Sequence, residues 1–310
     1  MAQLDISGPS SPQALDHALI GQHSAMAIGR ASYSMLLTEA GTVIDDLIVY
    51  RLAESHYFII ANAANRTVVA QVLTQRLASF EVQLRDITLE RALIAVQGPR
   101  SLQVMRAAGL SAAGCLGYYR AVETGVLGSP GLIARTGYTG ENGYEVAVPA
   151  SLAAELWQHL ASVGQELGLV KCGLACRDTL RLEAGMPLYG HELDLETTPV
   201  EAGQGWLIRP GKGPYVGSQA LAAAQPRKHL VGLAGQGRRA ARSGYEVLDH
   251  DQVVGQVTSG ALSPTLGYPI AMAFVHGPPP APGQVVQVNI RGHHTPFTVV
   301  KLPFYTKEKS

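Results

Sequence analysis

The chain has 310 residues, enough for two or three domains, and 46% of them are hydrophobic against 15% charged, which is ample material for a buried core. Lysine plus arginine and aspartate plus glutamate balance at 24 each, so the net charge gives no general electrostatic reason to bind nucleic acid or an anionic membrane. The N-terminal sequence has no signal-peptide pattern and no stretch is long and apolar enough to cross a bilayer, so we expect a soluble, cytoplasmic protein.

Residues 1–88 are predicted to alternate strands and helices. A short apolar strand from Leu4 to Ile6 leads into a helix with Pro12 near its first turn, where the missing N–H costs nothing. Two β-branched and aromatic runs, 43–50 and 57–60, predict further strands. A helix follows, with the predicted apolar stripe Val68, Val69, Val72, Leu73 and Leu77.

Residues 89–225 are also predicted to be α+β. Strands are expected at 92–96 and 146–148, and helices from the Gly98-Pro99 stop to about 108, after Ser151, and over 177–184. Ser151 is predicted to cap the second of these helices, which would bury Trp157 among its leucines.

The section 226–310 is predicted to be a small β-barrel or sandwich. The apolar pairs Val247-Leu248 and Val253-Val254 on either side of the polar residues 249–252 indicate a hairpin. Further strands are predicted at 270–275, 284–290 and 296–302. The change of pattern places a domain boundary near 225.

The three cysteines, Cys115, Cys172 and Cys176, are an odd number in a long chain, which argues against a disulfide framework and for a reducing compartment. Cys172 and Cys176 have no second thiol pair and no nearby histidine. We therefore expect buried structural thiols rather than a metal site, and the sequence predicts no bound metal.

Two adjacent acids, Asp45 and Asp46, interrupt an otherwise apolar predicted strand. Because side chains alternate across a strand, the two carboxylates are expected on opposite sides, one of them toward a core or cleft. Burying a carboxylate is costly unless it is paired or used. A catalytic acid and an edge or turn-capping acid are both open readings.

The stretch 136–145 contains three glycines within seven residues, together with Tyr138 as a flat stacking surface and Glu145 as an acceptor. This composition suits a ligand-binding loop, and a plain hairpin loop would also need the glycines. On the predicted helix 177–184, Arg177 and Arg181 share a face. One arginine could present its planar fork of donors to a ligand, or both could belong to a solvated helix.

Taken in order, these stretches resemble the T-protein family of the glycine cleavage system, and the resemblance covers essentially the whole chain. The most specific segment is Arg-Asp-Thr-Leu-Arg-Leu-Glu-Ala-Gly-Met-x-Leu-Tyr-Gly at 177–190. The other matching segments are 33–36 with 43–49, 95–99, 137–145, 258–260 with 263–266, and 303–305.

The resemblance implies a three-domain cloverleaf of α+β class: an α+β, ferredoxin-like domain at 1–88, an α+β folate-binding domain at 89–225, and a C-terminal β-barrel domain at 226–310. Family members usually carry a further N-terminal segment that ends in an Asp-Val-Ser-His-Met-like run, and Met1 falls on that methionine. The resemblance therefore implies that this chain lacks the segment, and a version carrying it is expected to be more stable and more active.

The resemblance also implies an activity, a co-substrate and a partner. An aminomethyltransferase of this kind moves the methylene of the S-aminomethyl-dihydrolipoyl arm of H-protein to tetrahydrofolate and releases ammonia. Asp45 matches the family's catalytic acid. The positions that match its substrate- and folate-binding residues are Tyr33, Asn62, Tyr138, Glu145 and Arg177. Asp178 is predicted to brace Arg177.

Two related functions stay as alternatives: a folate-dependent demethylase and a folate-binding iron–sulfur assembly factor, which is not an enzyme. The 177–190 segment argues against the first. The assembly factors carry Lys-Gly-Cys-Tyr-x-Gly-Gln, whereas 212–218 of this chain reads Lys-Gly-Pro-Tyr-Val-Gly-Ser, without the cysteine.

Overall fold

The computed structural model describes residues 1–307; residues 308–310, the end of the predicted third domain, lie outside the described residues. The chain divides into two compact units. The first unit comprises Met1–Gly137, Glu141–Lys171 and Leu207–Ala220, and the second comprises Tyr138–Gly140, Cys172–Trp206 and the chain from Leu221 onward. The domain boundaries at 88 and 225 stay predictions.

The helices and strands alternate through the first half of the chain, and strands dominate its last third. The elements of the first half are β1 (Ala2–Ser7), α1 (Ser11–Ala18), β2 (Ala31–Leu37), β3 (Val43–Ala53), β4 (His56–Ala61), α2 (Arg66–Leu77), β5 (Gln83–Asp86), β6 (Arg91–Gln97), α3 (Ser101–Ala107), β7 (Ala121–Val126), β8 (Ser129–Ala134), β9 (Gly143–Pro149) and α4 (Ala153–Gly164). The others are α5 (Leu174–Glu183), α6 (Ser218–Ala223), β10 (Lys228–Gly235), β11 (Glu246–Asp249), β12 (Gln252–Leu262), β13 (Pro269–His276), β14 (Val285–Ile290) and β15 (His293–Val300).

The first unit contains two antiparallel sheets. The five-stranded sheet has the order β2-β3-β4-β1-β5. Its β1-α1-β3-β4-α2-β5 part has the ferredoxin-like connectivity, and β2 is added at the edge. Helices α1 and α2 pack their apolar side chains, among them Leu15 and Leu73, on one face of this sheet. The arrangement is driven by burial of apolar surface, worth about 1.5–3 kcal/mol for each fully buried leucine.

The four-stranded sheet of the same unit has the order β6-β9-β8-β7. Helices α3 and α4 cover one face, where Met105 and Leu156 are buried. Residues of both sheets meet in a second core, which includes Tyr50 and Phe58 of the first sheet and Leu132 and Ala147 of the second. The first unit therefore places β3 and β9 in sheets that share a core. These two strands carry the predicted site acids Asp45 and Glu145.

The second unit is built on a closed six-stranded barrel of order β10-β13-β12-β11-β14-β15, and closure leaves the sheet without an unpaired edge. The barrel interior is apolar, with Val257, Val288 and Phe297 buried. Helix α5 packs on its outside through Leu182, which contacts Ile270 and Met272 of β13. The predicted α+β class with a C-terminal barrel is confirmed.

Several local predictions are wrong in an instructive way. Ser151 lies inside a short 3-10 turn, Ala150–Leu152, that precedes α4, and Trp157 is 44% exposed. Val68 of the predicted α2 stripe is also exposed. The first error concerns where the helix begins, and the other two count as buried an apolar side chain that the structure leaves exposed.

The side chains of Cys172 and Cys176 are exposed, as is that of Cys115, so the prediction of buried structural thiols is wrong. Among residues 1–307, no helix is long and apolar enough to cross a membrane.

Candidate functional site

Asp45 lies in β3 with 0% of its surface exposed. Strand β4 ends at Ala61, and the turn that follows it lays two asparagines against β3. The Asp45 carboxylate accepts three N–H groups: the Asn62 backbone N–H at 3.0 Å, the Asn62 side-chain amide at 2.9 Å and the Asn65 side-chain amide at 2.7 Å. These bonds offset the cost of burying the carboxylate.

Asp46 is only half-buried. Its carboxylate accepts the Tyr33 hydroxyl at 3.0 Å and the Asn62 amide at 2.7 Å. Asn62 therefore donates hydrogen bonds to both acids. The acid cluster is this hydrogen-bonded group of four residues: Tyr33, Asp45, Asp46 and Asn62.

The acids were expected on opposite sides of the strand, yet the Asn62 amide reaches both of them. The register between β2 and β3 shifts at this point, where Leu36 pairs with Asp45 and Leu37 with Val43. A bulge of this kind places one extra residue in a strand and redirects neighbouring side chains. The bulge at Ile44 lies directly before the acid pair, and Asn62 reaches both acids from the end of the neighbouring strand β4.

Both acids of the cluster hold their protons more tightly than free aspartate does. Burial raises the pKa of Asp45 to about 6, and the Asn65 and Asn62 hydrogen bonds limit that rise. Burial also raises the pKa of Asp46, against the opposing hydrogen bonds from Tyr33 and Asn62. Raised carboxyl pKa values in a hydrogen-bonded group are a frequent mark of a functional site.

The Asp45 shift predicts a pH dependence of stability. Because the pKa of Asp45 is about 6 in the folded protein against 3.8 unfolded, the folded state binds the proton more tightly. The free energy of unfolding should therefore fall as pH rises from about 4 to about 6, by about 1.4 kcal/mol per pH unit at most from this residue. Urea unfolding of wild type and Asp45→Asn across pH 4 to 7 measures this change in the free energy of unfolding. If the free energy of unfolding depends on pH in the same way for the two proteins, the raised pKa of Asp45 is contradicted.

Glu145 lies in β9, the strand that pairs with β6 and β8. Its carboxylate accepts the Thr136 hydroxyl at 2.6 Å, and Thr136 in turn lies 3.1 Å from the Tyr50 hydroxyl. Burial, and next the Glu145 charge, raise the pKa of Tyr50 well above its usual value. The chain thus holds Glu145 in a fixed position, half-buried near the beginning of β9.

Tyr138 and Arg177 are brought together in the second unit. The Arg177 guanidinium lies 4.8 Å from the centre of the Tyr138 ring, within the range of a cation–π contact. The Tyr138 hydroxyl donates to the Pro187 carbonyl oxygen, which fixes the ring plane. Arg177 belongs to the first turn of α5, so a helix and a tyrosine together hold its planar group of donors.

Asp178 does not brace Arg177 as predicted. It accepts the Arg181 Nε–H at 2.8 Å, because residues three apart on a helix are neighbours whereas adjacent residues point apart. Arg181 is 1% exposed and also donates to Glu192 at 2.9 Å and to Ser259 at 2.7 Å. The buried pair of Arg181 and Glu192 was not predicted from the sequence. The i, i+3 spacing of Asp178 and Arg181 is the one local signal that Arg181 has an acidic partner.

The structure thus assembles the predicted site residues into three groups: the acid cluster on β3, Glu145 on β9, and Tyr138 with Arg177 at α5. Within the described part of the chain, no group of three or more His, Cys, Asp or Glu side chains could hold a metal ion. The chemistry at hand is that of carboxylates, amides, phenols and a guanidinium.

Comparison with known proteins gives two family matches that together span nearly the whole chain. The GCVT N-terminal domain matches residues 1–212, and the glycine cleavage T-protein C-terminal barrel domain matches residues 228–306. The aminomethyltransferase of Streptomyces coelicolor is 48% identical over 100% of this chain and 85% of its own length. That of Cutibacterium acnes is 49% identical over 99% of this chain and 85% of its own length.

Among solved structures, the glycine cleavage system aminomethyltransferase T of Bartonella henselae is similar, with a TM-score of 0.92 and 33% identity. The similarity covers 98% of this chain and 84% of that one. The chain belongs to the glycine cleavage T-protein family, a class of folate-dependent transferases. Within that class it is an aminomethyltransferase, and the demethylase and iron–sulfur alternatives are not favoured.

Proposed function

We propose that the chain moves the methylene carbon of S-aminomethyl-dihydrolipoyl H-protein to tetrahydrofolate. Ammonia leaves, and the products are 5,10-methylenetetrahydrofolate and the reduced lipoyl arm. The observation that carries the proposal is the acid cluster, a pair of carboxylates with raised pKa values held by Asn62 and Tyr33 in a chain of this family.

The reaction needs a carboxylate next to the folate N5 and the iminium-like carbon that forms as the bond to the lipoyl sulfur breaks. A fixed negative charge there stabilises the cationic carbon and positions the amine. Holding N5 against that carbon, away from water, supplies much of the remaining rate.

The predicted catalytic acid is Asp45, and its role stays a prediction. Its carboxylate is fully buried and already accepts three N–H groups. Because the Asn62 amide also donates to Asp46, Asp45 can hold Asn62 in place and so position the Asp46 carboxylate. Asp46 is partly exposed and is the member of the pair that a ligand can reach. We therefore assign substrate contact to Asp46 and positioning to Asp45.

The predicted folate ligands offer groups that suit a pterin. The Glu145 carboxylate matches the N–H and amino donors of the ring edge, the Tyr138 ring matches its flat face, and Arg177 matches its carbonyl or the glutamate tail. Tyr33 and Asn62 complete the predicted set on the acid cluster. All of these side chains are held by protein contacts, which limits the entropy lost when the folate binds.

Glu145→Ala and Arg177→Ala should each weaken tetrahydrofolate binding by about 1–3 kcal/mol, the scale of a lost charge-assisted hydrogen bond at a shielded site. Isothermal titration calorimetry on the full chain measures the two dissociation constants. Arg238→Ala, a change at an exposed barrel arginine, is the matched control and should bind as wild type does. Unchanged affinity in both site variants would show that the pterin does not bind at Glu145 and Arg177.

The proposal includes a lipoylated H-protein as the partner and a cytoplasmic location, with no nucleic acid or membrane bound. The odd number of cysteines, three in the whole chain, supports a reducing compartment. Co-purification of the chain with aminomethylated H-protein tests the partner; transfer from free aminomethyl-lipoate at the same rate would show that H-protein is dispensable.

A further inference from the structure

Glu145 is held by two buried hydroxyl groups to which the proposed reaction assigns no role. The Thr136 hydroxyl donates to the Glu145 carboxylate with 2.6 Å between the oxygen atoms, and the Tyr50 hydroxyl lies 3.1 Å from the Thr136 hydroxyl. Tyr50 is 0% exposed and Thr136 3%, whereas Glu145 is half-buried. This hydroxyl chain, Tyr50–Thr136–Glu145, therefore begins in the core that the two sheets share and ends on a carboxylate that a ligand can reach.

The direction of these hydrogen bonds follows from the number of protons in the hydroxyl chain. A carboxylate accepts hydrogen bonds and has no proton to donate, so the single Thr136 hydroxyl proton points to Glu145. Tyr50 must then donate its proton to the Thr136 oxygen. Burial, and next the Glu145 charge, raise the pKa of Tyr50 well above its usual value, so the phenol keeps the proton that this hydrogen bond requires.

We propose that Thr136 and Tyr50 are positioning residues that fix the Glu145 carboxylate as an acceptor for the N–H and amino donors of the pterin ring. One Glu145 oxygen accepts the Thr136 hydroxyl, which leaves the other oxygen to a ligand. An acceptor that is already held in place loses less entropy on binding than a freely rotating side chain does. The inference rests on the proposed binding of the pterin at Glu145.

Gln97 fixes the backbone around the same carboxylate. Its side-chain amide donates to the carbonyl oxygens of Thr136 and Tyr144, each at 3.2 Å. A Cβ atom at Gly137 or at Gly143 would lie 2.0 or 2.2 Å from the Gln97 Oε1, so a side chain at either position would displace the amide. These contacts hold both the threonine that donates and the residue before the carboxylate that accepts.

Strand β3 connects the hydroxyl chain to the acid cluster. The pairing of β3 with β2 is regular from Asp46 to Tyr50, and residues four apart in a regular strand share a face. At about 3.3 Å per residue, these two residues lie about 13 Å apart along the strand. One face of β3 therefore bears the proposed substrate-contacting acid and the residue that supports the proposed pterin acceptor.

The test measures tetrahydrofolate binding to the full chain by isothermal titration calorimetry. Thr136→Val replaces the hydroxyl with a methyl group of similar size, and the dissociation constant should rise by about 5–30-fold, the loss expected for one hydrogen bond. Thr136→Ser keeps the hydroxyl and should restore most of the affinity. In the transfer assay, Thr136→Val should raise the KM for tetrahydrofolate while kcat stays near that of wild type, because the change affects ligand binding.

Tyr50→Phe removes the other hydroxyl of the chain and should weaken binding in the same direction by a smaller factor. This variant also decides the question if Thr136→Val does not fold. Thr124→Val is the matched control: it removes a threonine hydroxyl from β7, the edge strand of the same sheet, and should bind as wild type does. Thermal melting shows which variants are folded.

A double-variant cycle separates positioning of the carboxylate from a general effect on the fold. In a Glu145→Ala background, Thr136→Val should cause no further rise in the dissociation constant, because the carboxylate that it positions is absent. An equal rise in both backgrounds would overturn the inference. So would wild-type affinity in Thr136→Val and Tyr50→Phe while Glu145→Ala weakens binding, and the proposed pterin site would then stand. Wild-type affinity in Glu145→Ala would overturn both the inference and that site.

Discussion

Asp46→Asn is expected to lower the rate of aminomethyl transfer by about 10²–10⁴-fold, the range supplied by one positioned acid or base. The change removes the negative charge nearest to the developing cation, while the amide keeps the size of the side chain. Its Oδ1 can still accept the Asn62 amide, so the fold should hold. The assay is formation of methylenetetrahydrofolate from aminomethylated H-protein with the full chain.

Asp45→Asn should behave differently, and the contrast separates contact with substrate from positioning. The new amide would turn N–H groups toward the Asn62 and Asn65 donors, which already fill both oxygens of Asp45. We expect a loss of stability together with a loss of rate. Partial recovery of rate at low temperature, where the variant stays folded, would mark a positioning role.

The matched control is Glu54→Gln, a charge removed from an exposed residue in the turn after β3. Its rate and melting temperature should equal those of wild type. Wild-type turnover in Asp46→Asn, with strong loss in a fully folded Asp45→Asn, would return the catalytic role to Asp45. Wild-type turnover in both variants would remove the acid cluster from the mechanism.

Much of the architecture could be predicted from local patterns. Runs of β-branched and aromatic residues located β3 and β4, and short apolar runs located the barrel strands, because such side chains pack well on a pleated, buried surface. The polar tip between β11 and β12 is a tight turn in which His250 and Asp251 adopt positive φ angles of 46° and 63°. Such patterns are local, and a single sequence shows them.

The chemistry of the site depends on contacts that are not local. Nothing near Asp45 in the sequence shows that Asn62 and Asn65 will saturate its oxygens, since that pairing needs β4 to return beside β3. The bulge at Ile44 is also invisible before the strands pair. Family resemblance supplied Asp45 as the candidate acid, and the proposed division of roles between Asp45 and Asp46 rests on the three-dimensional arrangement.

The buried pair of Arg181 and Glu192 is a second contact that could not be predicted from the sequence, and it concerns stability rather than the site. The two side chains are 1% and 0% exposed, and Ser259 of the barrel strand β12 completes the arginine's partners. From the sequence, Arg181 could either present its donors to a ligand or belong to a solvated helix. Its burial follows from the packing of α5 on the barrel, which no helical period reveals.

Arg181→Met is expected to destabilise the protein by about 3–5 kcal/mol, because it leaves the Glu192 carboxylate buried without its counter-ion. Glu192 would still accept the Leu188 N–H at 2.9 Å, a single bond that cannot replace a guanidinium. Urea unfolding followed by circular dichroism measures the change. The double variant Arg181→Met with Glu192→Met should recover much of the loss, since removing both charges removes the unpaired one.

Arg85→Met is the matched control, because Arg85 pairs with Glu90 on the surface, where the two side chains are 55% and 61% exposed. An exposed ion pair contributes less than about 1 kcal/mol, since water and salt screen it. If Arg181→Met costs no more than Arg85→Met, the buried pair is not a major support of α5. If the double variant is as unstable as the single one, Arg181 stabilises the protein through its hydrogen bonds to Asp178 and Ser259 rather than through Glu192. The Ser259 hydroxyl would then be the contact that holds α5 on the barrel.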